Sequence, residues 1–462
     1  MKILLITPIN KNAYEVAPDL GLGYLATALR KNKHEVIILD CVNKRIDFDR
    51  FKKYILHDNS DVIGFKITPT DLPSAKKYIQ IIKWYRPSVK ILIGGVYPSL
   101  ASAQELLNYF PEVDFAFKGE AEIGLPMLLD ALSNCNLKEL NSIPGLIYRN
   151  NGSVVNNSPI YFEDLDSFGM PAWDLIDPRE YNFQKFLFTK HKIVAPIIAT
   201  RGCMFYCKFC SAHSVTGYKV RAHSVSYIID EIKFLIAKFG IKEVCFMDDN
   251  FAARKNILRE FCYRKLKENL RFVWTCFTIR LDLLDKDTLK LMNESGCHMI
   301  SVGIESGSQR ILDAMNKRLN LEIVKERLSL IRNITNIKVM GNFIIGYPGE
   351  EEIDIYRTIK FARSLPLFTA TFFGFHPIIG TPIYDELITK EKIKIDLKKV
   401  GSDRRPYIPK NIRPKRFLVL YRWALISFYC RPRILFKILI NIRSFLQIKF
   451  LIMRIWERLI KS

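Results

Sequence analysis

Short β-branched runs alternate with helical patterns in two separate blocks of this 462-residue sequence, a rhythm that suits a parallel α/β architecture. In residues 1–132 the runs lie at 3–7, 36–40, 62–68, 91–95 and 115–119, with helical patterns such as 20–31 and 74–85 between them. This block reads as a doubly wound, Rossmann-like parallel sheet. In residues 191–390 the runs lie at 193–200, 243–248, 272–280, 299–305, 339–346 and 370–376. Six β/α units suit a partial (β/α)6 TIM-type barrel, in which chemistry gathers at the carboxyl ends of the strands.

Residues 133–190 are rich in Asn, Gly and Pro, carry a hairpin signal around residues 150–152, and read as an interdomain linker. Residues 391–462 form a basic, helical carboxy-terminal extension. The net charge of +23 is uneven. Residues 411–462 hold twelve Lys or Arg and one acid, Glu457, so the extension alone carries +11. Ten cysteines in a chain of this length are too sparse for a disulfide scaffold. Residues 1–8 lack the apolar core of a secretion signal, and no uncharged apolar run reaches about 18 residues. The expected location is the cytoplasm.

The sharpest chemical signal is Cys203-Met-Phe-Tyr-Cys207-Lys-Phe-Cys210, directly after a predicted strand. A loop at a strand's carboxyl end can fold three thiolates around one inorganic centre. Four thiolates close a 4Fe–4S cluster, whereas three leave one iron open. The alternatives are a zinc site completed by His213 and cysteines that are merely buried. Structural zinc usually takes its ligands in two separated pairs, which this spacing does not offer.

This CxxxCxΦC pattern, with Phe209 as the aromatic, resembles the signature of the radical S-adenosylmethionine (SAM) superfamily. The resemblance continues in Phe246-Met-Asp-Asp-Asn-Phe251, in Arg280-Leu-Asp-Leu-Leu284, in Gly303-Ile-Glu-Ser-Gly307 and in residues 341–350, GNFIIGYPGE. It implies that Cys203, Cys207 and Cys210 are the catalytic centre and hold a 4Fe–4S cluster. Phe209, Asp248, Arg280, Glu305 and Gly346 would then line the SAM site. In the family the open iron chelates SAM, and one electron cleaves it to methionine and a 5′-deoxyadenosyl radical. A small electron carrier such as flavodoxin or ferredoxin would supply that electron.

In the first block, neither GxGxxG nor GxxxxGK[ST] occurs, so a nicotinamide or P-loop site is not supported. Instead, glycine-rich turns fall at predicted strand ends: Gly64-Phe-Lys-Ile-Thr68, Gly94-Gly-Val-Tyr-Pro98 and Gly119-Glu-Ala-Glu122. Residues 18–26, PDLGLGYLA, precede them. Such turns admit a flat ligand closely. With the linker stretch at residues 164–174, they resemble the cobalamin-binding domain fused ahead of radical SAM barrels. The resemblance marks Leu22, Thr68, Gly94, Gly95, Tyr97, Gly119 and Glu120 as cobalamin contacts. Two departures stand out. No DxHxxG is present, so no axial histidine is expected, and Tyr97 stands where relatives often carry His.

The implied enzyme uses cobalamin as methyl carrier to alkylate an unactivated carbon of a small-molecule or lipid-like substrate. Radical cyclisation or rearrangement is the alternative. A methylthiotransferase would carry extra cluster cysteines in its leading domain, where this chain offers only Cys41 and Cys135. A cobalamin sensor or adaptor would have no use for an open iron. In the tail, Arg433, Lys437, Arg443, Arg454, Arg458 and Lys461 fall within about 120° of one another on a helix, opposite an apolar surface. That pattern is expected to lie on an anionic membrane surface. The other reading packs the apolar face on the barrel. Nucleic acid is disfavoured, because the tail is apolar with few aromatics.

Overall fold

The computed structural model describes residues 1–9, 17–181, 189–391 and 406–442, together with Phe445, Gln447–Lys449 and Ile452. It divides into two compact units. The first takes residues 1–181 with 211–221 and 379–391; the second takes 189–210, 222–378 and the described residues from 406 onward.

The first unit is built on a seven-stranded sheet of order β2-β1-β3-β4-β5-β6-β7. The strands are β1 (Lys2–Thr7), β2 (Glu35–Asp40), β3 (Val62–Lys66), β4 (Lys90–Gly94), β5 (Phe115–Phe117), β6 (Leu146–Asn150) and β7 (Ser153–Asn156). Strands β1 to β5 are mutually parallel. The run Ile3, Leu4, Leu5 and Ile6 is buried on both faces, as a central parallel strand requires. Strand order reverses between β1 and β3, and ligands of such sheets bind at the carboxyl ends near that reversal. The hairpin signal is realised as the antiparallel pair β6–β7 on the sheet's flank. Its two-residue turn places Asn151 and Gly152 at φ +48 and +83, the conformation that Asn-Gly adopts readily.

The stretch that the sequence assigns to a linker is largely folded into this unit. Arg30 forks onto Asp174 at 2.8 and 2.9 Å, and Thr27 Oγ1 donates to Met170 O at 2.6 Å. A Cβ on Gly23 would stand 2.7 Å from Ile176 Cδ1 and 2.9 Å from Pro171 Cβ, so helix Leu20–Lys31 and residues 170–176 meet in close contact.

Among the described residues the main sheet of the second unit has six strands in chain order: β8 (Ala195–Ile197), β9 (Glu243–Phe246), β10 (Val273–Ile279), β11 (Cys297–Glu305), β12 (Lys338–Ile345) and β13 (Thr369–Gly374). All pair in parallel. The sheet is open, with β8 and β13 at its borders. Helix Pro414–Tyr429 lies along the β13 border: Tyr421 Oη donates to Phe372 O at 3.1 Å and Tyr429 Oη to Ala370 O at 2.6 Å. Side-chain hydroxyls thus satisfy carbonyls that a border strand otherwise exposes. The tail breaks at Cys430–Arg431, before helix Pro432–Leu439. No helix among the described residues is long and apolar enough to cross a membrane.

Candidate active site at the strand ends

Cys203, Cys207 and Cys210 occupy the loop that follows β8. Cys207 is buried, and the other two are half-buried. Two bonds from the turn after helix Gln309–Ala314 fix the loop's path: Lys208 N–H donates to Met315 O at 3.0 Å, and Asn316 Nδ2 donates to Tyr206 O at 2.8 Å. Among the described residues no three His, Cys, Asp or Glu side chains converge on a single ion position. A Cys3His zinc site with His213 therefore has no geometric support. A cubane places each of its three thiolates on a different iron, so a loop that holds one needs no convergence of its thiols on a single ion position. Burial pushes the Cys207 thiol up, while the Lys317 and Arg280 charges pull the other way.

Arg280, just past β10, has its guanidinium 3.7 Å from the centre of the Phe205 ring. Nε and Nη2 fork onto Asp282 at 3.0 and 2.9 Å, while Nη1 and Nη2 donate to Lys317 O and Arg318 O at 2.9 and 3.0 Å. Four of its five N–H donors are thereby committed to protein. The resemblance implies that Arg280 contacts SAM; in the structure its guanidinium joins the cysteine loop to the 314–318 turn.

Glu305 ends β11 in a left-handed conformation, φ +66, at a register shift against β12. A β-bulge of this kind re-aims a side chain at a strand end. The Glu305 carboxylate is buried and accepts from Lys317 Nζ at 2.8 Å. A Cβ on Gly303 would lie 2.3 Å from Glu305 Oε1 and 3.0 Å from Lys317 Nζ, so the missing side chain makes the slot for this pair. The Lys317 ammonium also stands 5.9 Å from the Phe209 ring centre. Burial pulls its pKa down, but the Glu305 and Cys207 charges outweigh burial and keep it above the ordinary lysine value.

Asp248 lies two residues beyond β9. Its Oδ1 accepts from Ala199 N (3.1 Å), from Thr200 N and from Thr200 Oγ1 (2.6 Å). Burial raises its pKa to about 7, against the opposing pull of these bonds, and Oδ2 is buried with no hydrogen-bond partner. Asn250 Oδ1 accepts from Arg280 N at 3.3 Å. The two side chains tie the ends of β8, β9 and β10 together, directly upstream of the cysteine loop.

Two glycines of the sequence motifs serve packing. At Gly346, φ +92, the place of a side chain is taken by Tyr407 O at 2.8 Å and the Phe417 ring at 2.9 Å. That side of Gly346 faces the carboxy-terminal extension. At Gly307 a Cβ would stand 2.6 Å from Thr358 Cα, so it lets helix Glu352–Ser364 approach. Lys317, Asn316 and Phe205 were not singled out from the sequence. A lone lysine in a chain this basic gives no signal, and only the fold brings it to the cysteines.

In the first unit, Thr68, Gly94, Gly95 and Gly119 all follow or end β3, β4 and β5 at their carboxyl ends. A Cβ on Gly94 would meet nothing nearer than Phe117 Cβ at 3.9 Å, which leaves room for a ligand. Gly95 and Gly119 hold φ +97 and +68. Thr68 Oγ1 donates to Asp71 Oδ2 at 2.6 Å. Leu22 is buried in the first turn of its helix, its N–H bonded to Asp19 Oδ1 at 3.1 Å. Glu120 accepts a fork from the buried Arg221 at 2.7 and 2.8 Å. Tyr97 departs from the expectation. Its ring is fully buried in the core behind the strand ends, and its hydroxyl has no hydrogen-bond partner. The backbone explains this, since Tyr97 N–H donates to Ile67 O at 3.0 Å as helix Val96–Leu100 begins. At Gly95 and Gly119 the place of a Cβ is taken by Lys66 Cγ and Pro159 Cβ, each at 3.0 Å, so of these three glycines Gly94 is the one with open space beside it.

Comparison with known proteins agrees with this division. Residues 6–129 match the B12 binding domain model, and residues 197–362 match the Radical SAM superfamily model. An uncharacterized methyltransferase of Pyrococcus horikoshii is 31% identical, over 95% of this chain and 94% of that protein. A cytidylyl-2-hydroxyethylphosphonate methyltransferase of Streptomyces wedmorensis is 27% identical, over 84% of this chain and 82% of its own length. Among solved structures, the radical SAM methyltransferase TsrM of Kitasatospora setae with bound cobalamin and 4Fe–4S cluster superposes with a TM-score of 0.72. Its identity is 18%, over 94% of this chain and 91% of TsrM.

Proposed function

Because this chain belongs to the radical SAM superfamily, in the branch with an amino-terminal B12-binding domain, and is an enzyme whose cofactors are a 4Fe–4S cluster, SAM and cobalamin, we propose that it methylates an unactivated carbon of a small apolar substrate. One observation carries the reading: three thiols lie on a loop pinned at the carboxyl ends of a parallel sheet, beside a buried Glu305–Lys317 pair. When bound, the cluster and SAM supply a carbon radical able to break strong C–H bonds, and cobalamin supplies the methyl carrier.

Within this reading Cys203, Cys207 and Cys210 ligate three irons. Arg280 and the 314–318 turn hold the loop in place. The Glu305 carboxylate, fixed by Lys317, is the acceptor for SAM's polar groups, and Asp248 positions the strand that feeds the loop. In the first unit Gly94, Gly95 and Gly119 bring backbone close to cobalamin, with Thr68 and Leu22 at the same rim. Glu120 and Arg221 hold each other and shape the β5 turn. Met204 and Tyr206 are exposed on the cysteine loop, where a one-electron carrier such as flavodoxin or ferredoxin can approach.

The substrate is read as lipid-like, or presented at an anionic membrane surface. Support comes from helix Pro432–Leu439, which buries Ile434 and Ile438 yet leaves Phe436 and Leu439 each 65% exposed beside Arg433 and Lys437. Exposed apolar side chains next to basic ones suit a lipid interface. Arg443, Arg454, Arg458 and Lys461, which extend the basic face, lie outside the described residues.

Isotope tracing tests both parts. Anaerobically reconstituted enzyme is given cobalamin, a reductant, SAM with a deuterated methyl group, and vesicles of native lipid extract containing anionic lipid. The expected result is 5′-deoxyadenosine and S-adenosylhomocysteine together, with deuterium in the lipid fraction and protein sedimenting with the vesicles. Deoxyadenosine without deuterium transfer would replace methylation by cyclisation or rearrangement. Deuterium confined to aqueous products, with protein left in the supernatant, would remove the lipid reading.

A further inference from the structure

We propose that Lys317, paired with Glu305 in the slot opened by Gly303, is a positioning residue whose charge sets how readily the cluster on the cysteine loop accepts an electron. The inference rests on the cluster assignment above and concerns a residue outside its ligand set. Lys317 is only 7% exposed, so its charge is not screened as a surface lysine's would be. The turn that carries it is bonded on both sides of Cys207, through Met315 O to Lys208 N–H and through Asn316 Nδ2 to Tyr206 O. Its ammonium faces the ring of Phe209, which stands between Cys207 and Cys210. Asn316 and Arg318, the residues on either side, are both left-handed at φ +52 and +50. Backbone in that region persists only where surroundings over-determine it.

Electrostatics gives the sign. Reduction adds one electron to a centre that already carries three thiolates. A buried cation nearby stabilises the reduced form, and a buried anion opposes it. Arg280, the other cation here, is matched by its own fork onto Asp282 and by two carbonyls. Glu305 and Lys317 oppose each other in one slot, so removing either partner changes the local charge by one unit in opposite directions. A role limited to holding the loop would not produce opposite signs.

The test is a redox titration of the full-length, reconstituted protein without SAM, followed by electron paramagnetic resonance, with iron content measured alongside. Lys317→Met is expected to lower the equilibrium constant for one-electron reduction at least tenfold, a shift of 59 mV to more negative potential. Lys317→Arg is expected to stay close to wild type, and Glu305→Gln to move to less negative potential. If Lys317→Met takes up no cluster, the sign of the Glu305→Gln shift decides. Equal potentials in wild type and Lys317→Met, or shifts of the same sign in both variants, would overturn the proposal while leaving the cluster assignment intact. A wild-type protein that takes up no cluster overturns both.

Discussion

Replacing Cys207 by alanine is expected to lower 5′-deoxyadenosine formation at least about a thousandfold, a barrier change of ~4 kcal/mol. Cys207 is the buried member of the three and sits between the two bonds that pin the loop. Under the proposed ligand set, its loss removes one iron ligand at the position least open to substitution by water or an external thiol. Iron content of the reconstituted protein should fall with activity. Cobalamin uptake should not, because the glycine turns assigned to it belong to the first unit and share no residue with the loop. Cobalamin absorbance, iron assay and product analysis on one preparation measure all three. Retention of deoxyadenosine formation would remove Cys207 from the ligand set.

Gly303→Ala is expected to cost about 3–5 kcal/mol, the range for breaking one partner out of a buried ion pair. The new methyl would sit 2.3 Å from Glu305 Oε1. The carboxylate could swing away at small steric cost, but that would leave the Lys317 ammonium buried without its 2.8 Å partner. The consequence is therefore electrostatic more than steric. By calorimetry, the transition of the second unit should fall by roughly 10 °C for a unit of this size. A midpoint within about 2 °C of wild type would show that the slot relaxes without breaking the pair.

Much of this molecule is legible in its residues because strands β1 to β5 and β8 to β13 pair in parallel. Buried parallel strands need continuous β-branched runs, and those runs mark β1 to β5 and β8 to β13 within two or three residues at most ends. The Asn151-Gly152 turn carried its own conformational signal. What the sequence left unread depends on chain neighbours far apart. The segment after β5 looked like a connector because its polar composition hides the few contacts, such as Arg30 with Asp174, that fold it onto the first helix. Gly346 looked like a ligand contact because a glycine at a strand end has the same spelling whether a cofactor or Phe417 fills the space beside it. Tyr97 stood in a motif position, yet its backbone turns the ring into the core. Arg280 and Glu305 stand at motif positions of the family the sequence resembles. Their partners, the carbonyls of the 314–318 turn and Lys317, are contributed by a segment with no motif of its own. The first part of the basic tail also did more than its charge implied, since Tyr421 and Tyr429 cap the open border of the barrel sheet.

In the proposed enzyme three thiols leave one iron of the cluster free for SAM. The direct measurement is electron paramagnetic resonance of the reduced, reconstituted wild-type protein, recorded without and with SAM. A cluster with an open iron predicts a spectrum whose g-values change when SAM is added, as its amino and carboxylate groups occupy that iron. A spectrum indifferent to saturating SAM would contradict it and would mean a closed centre.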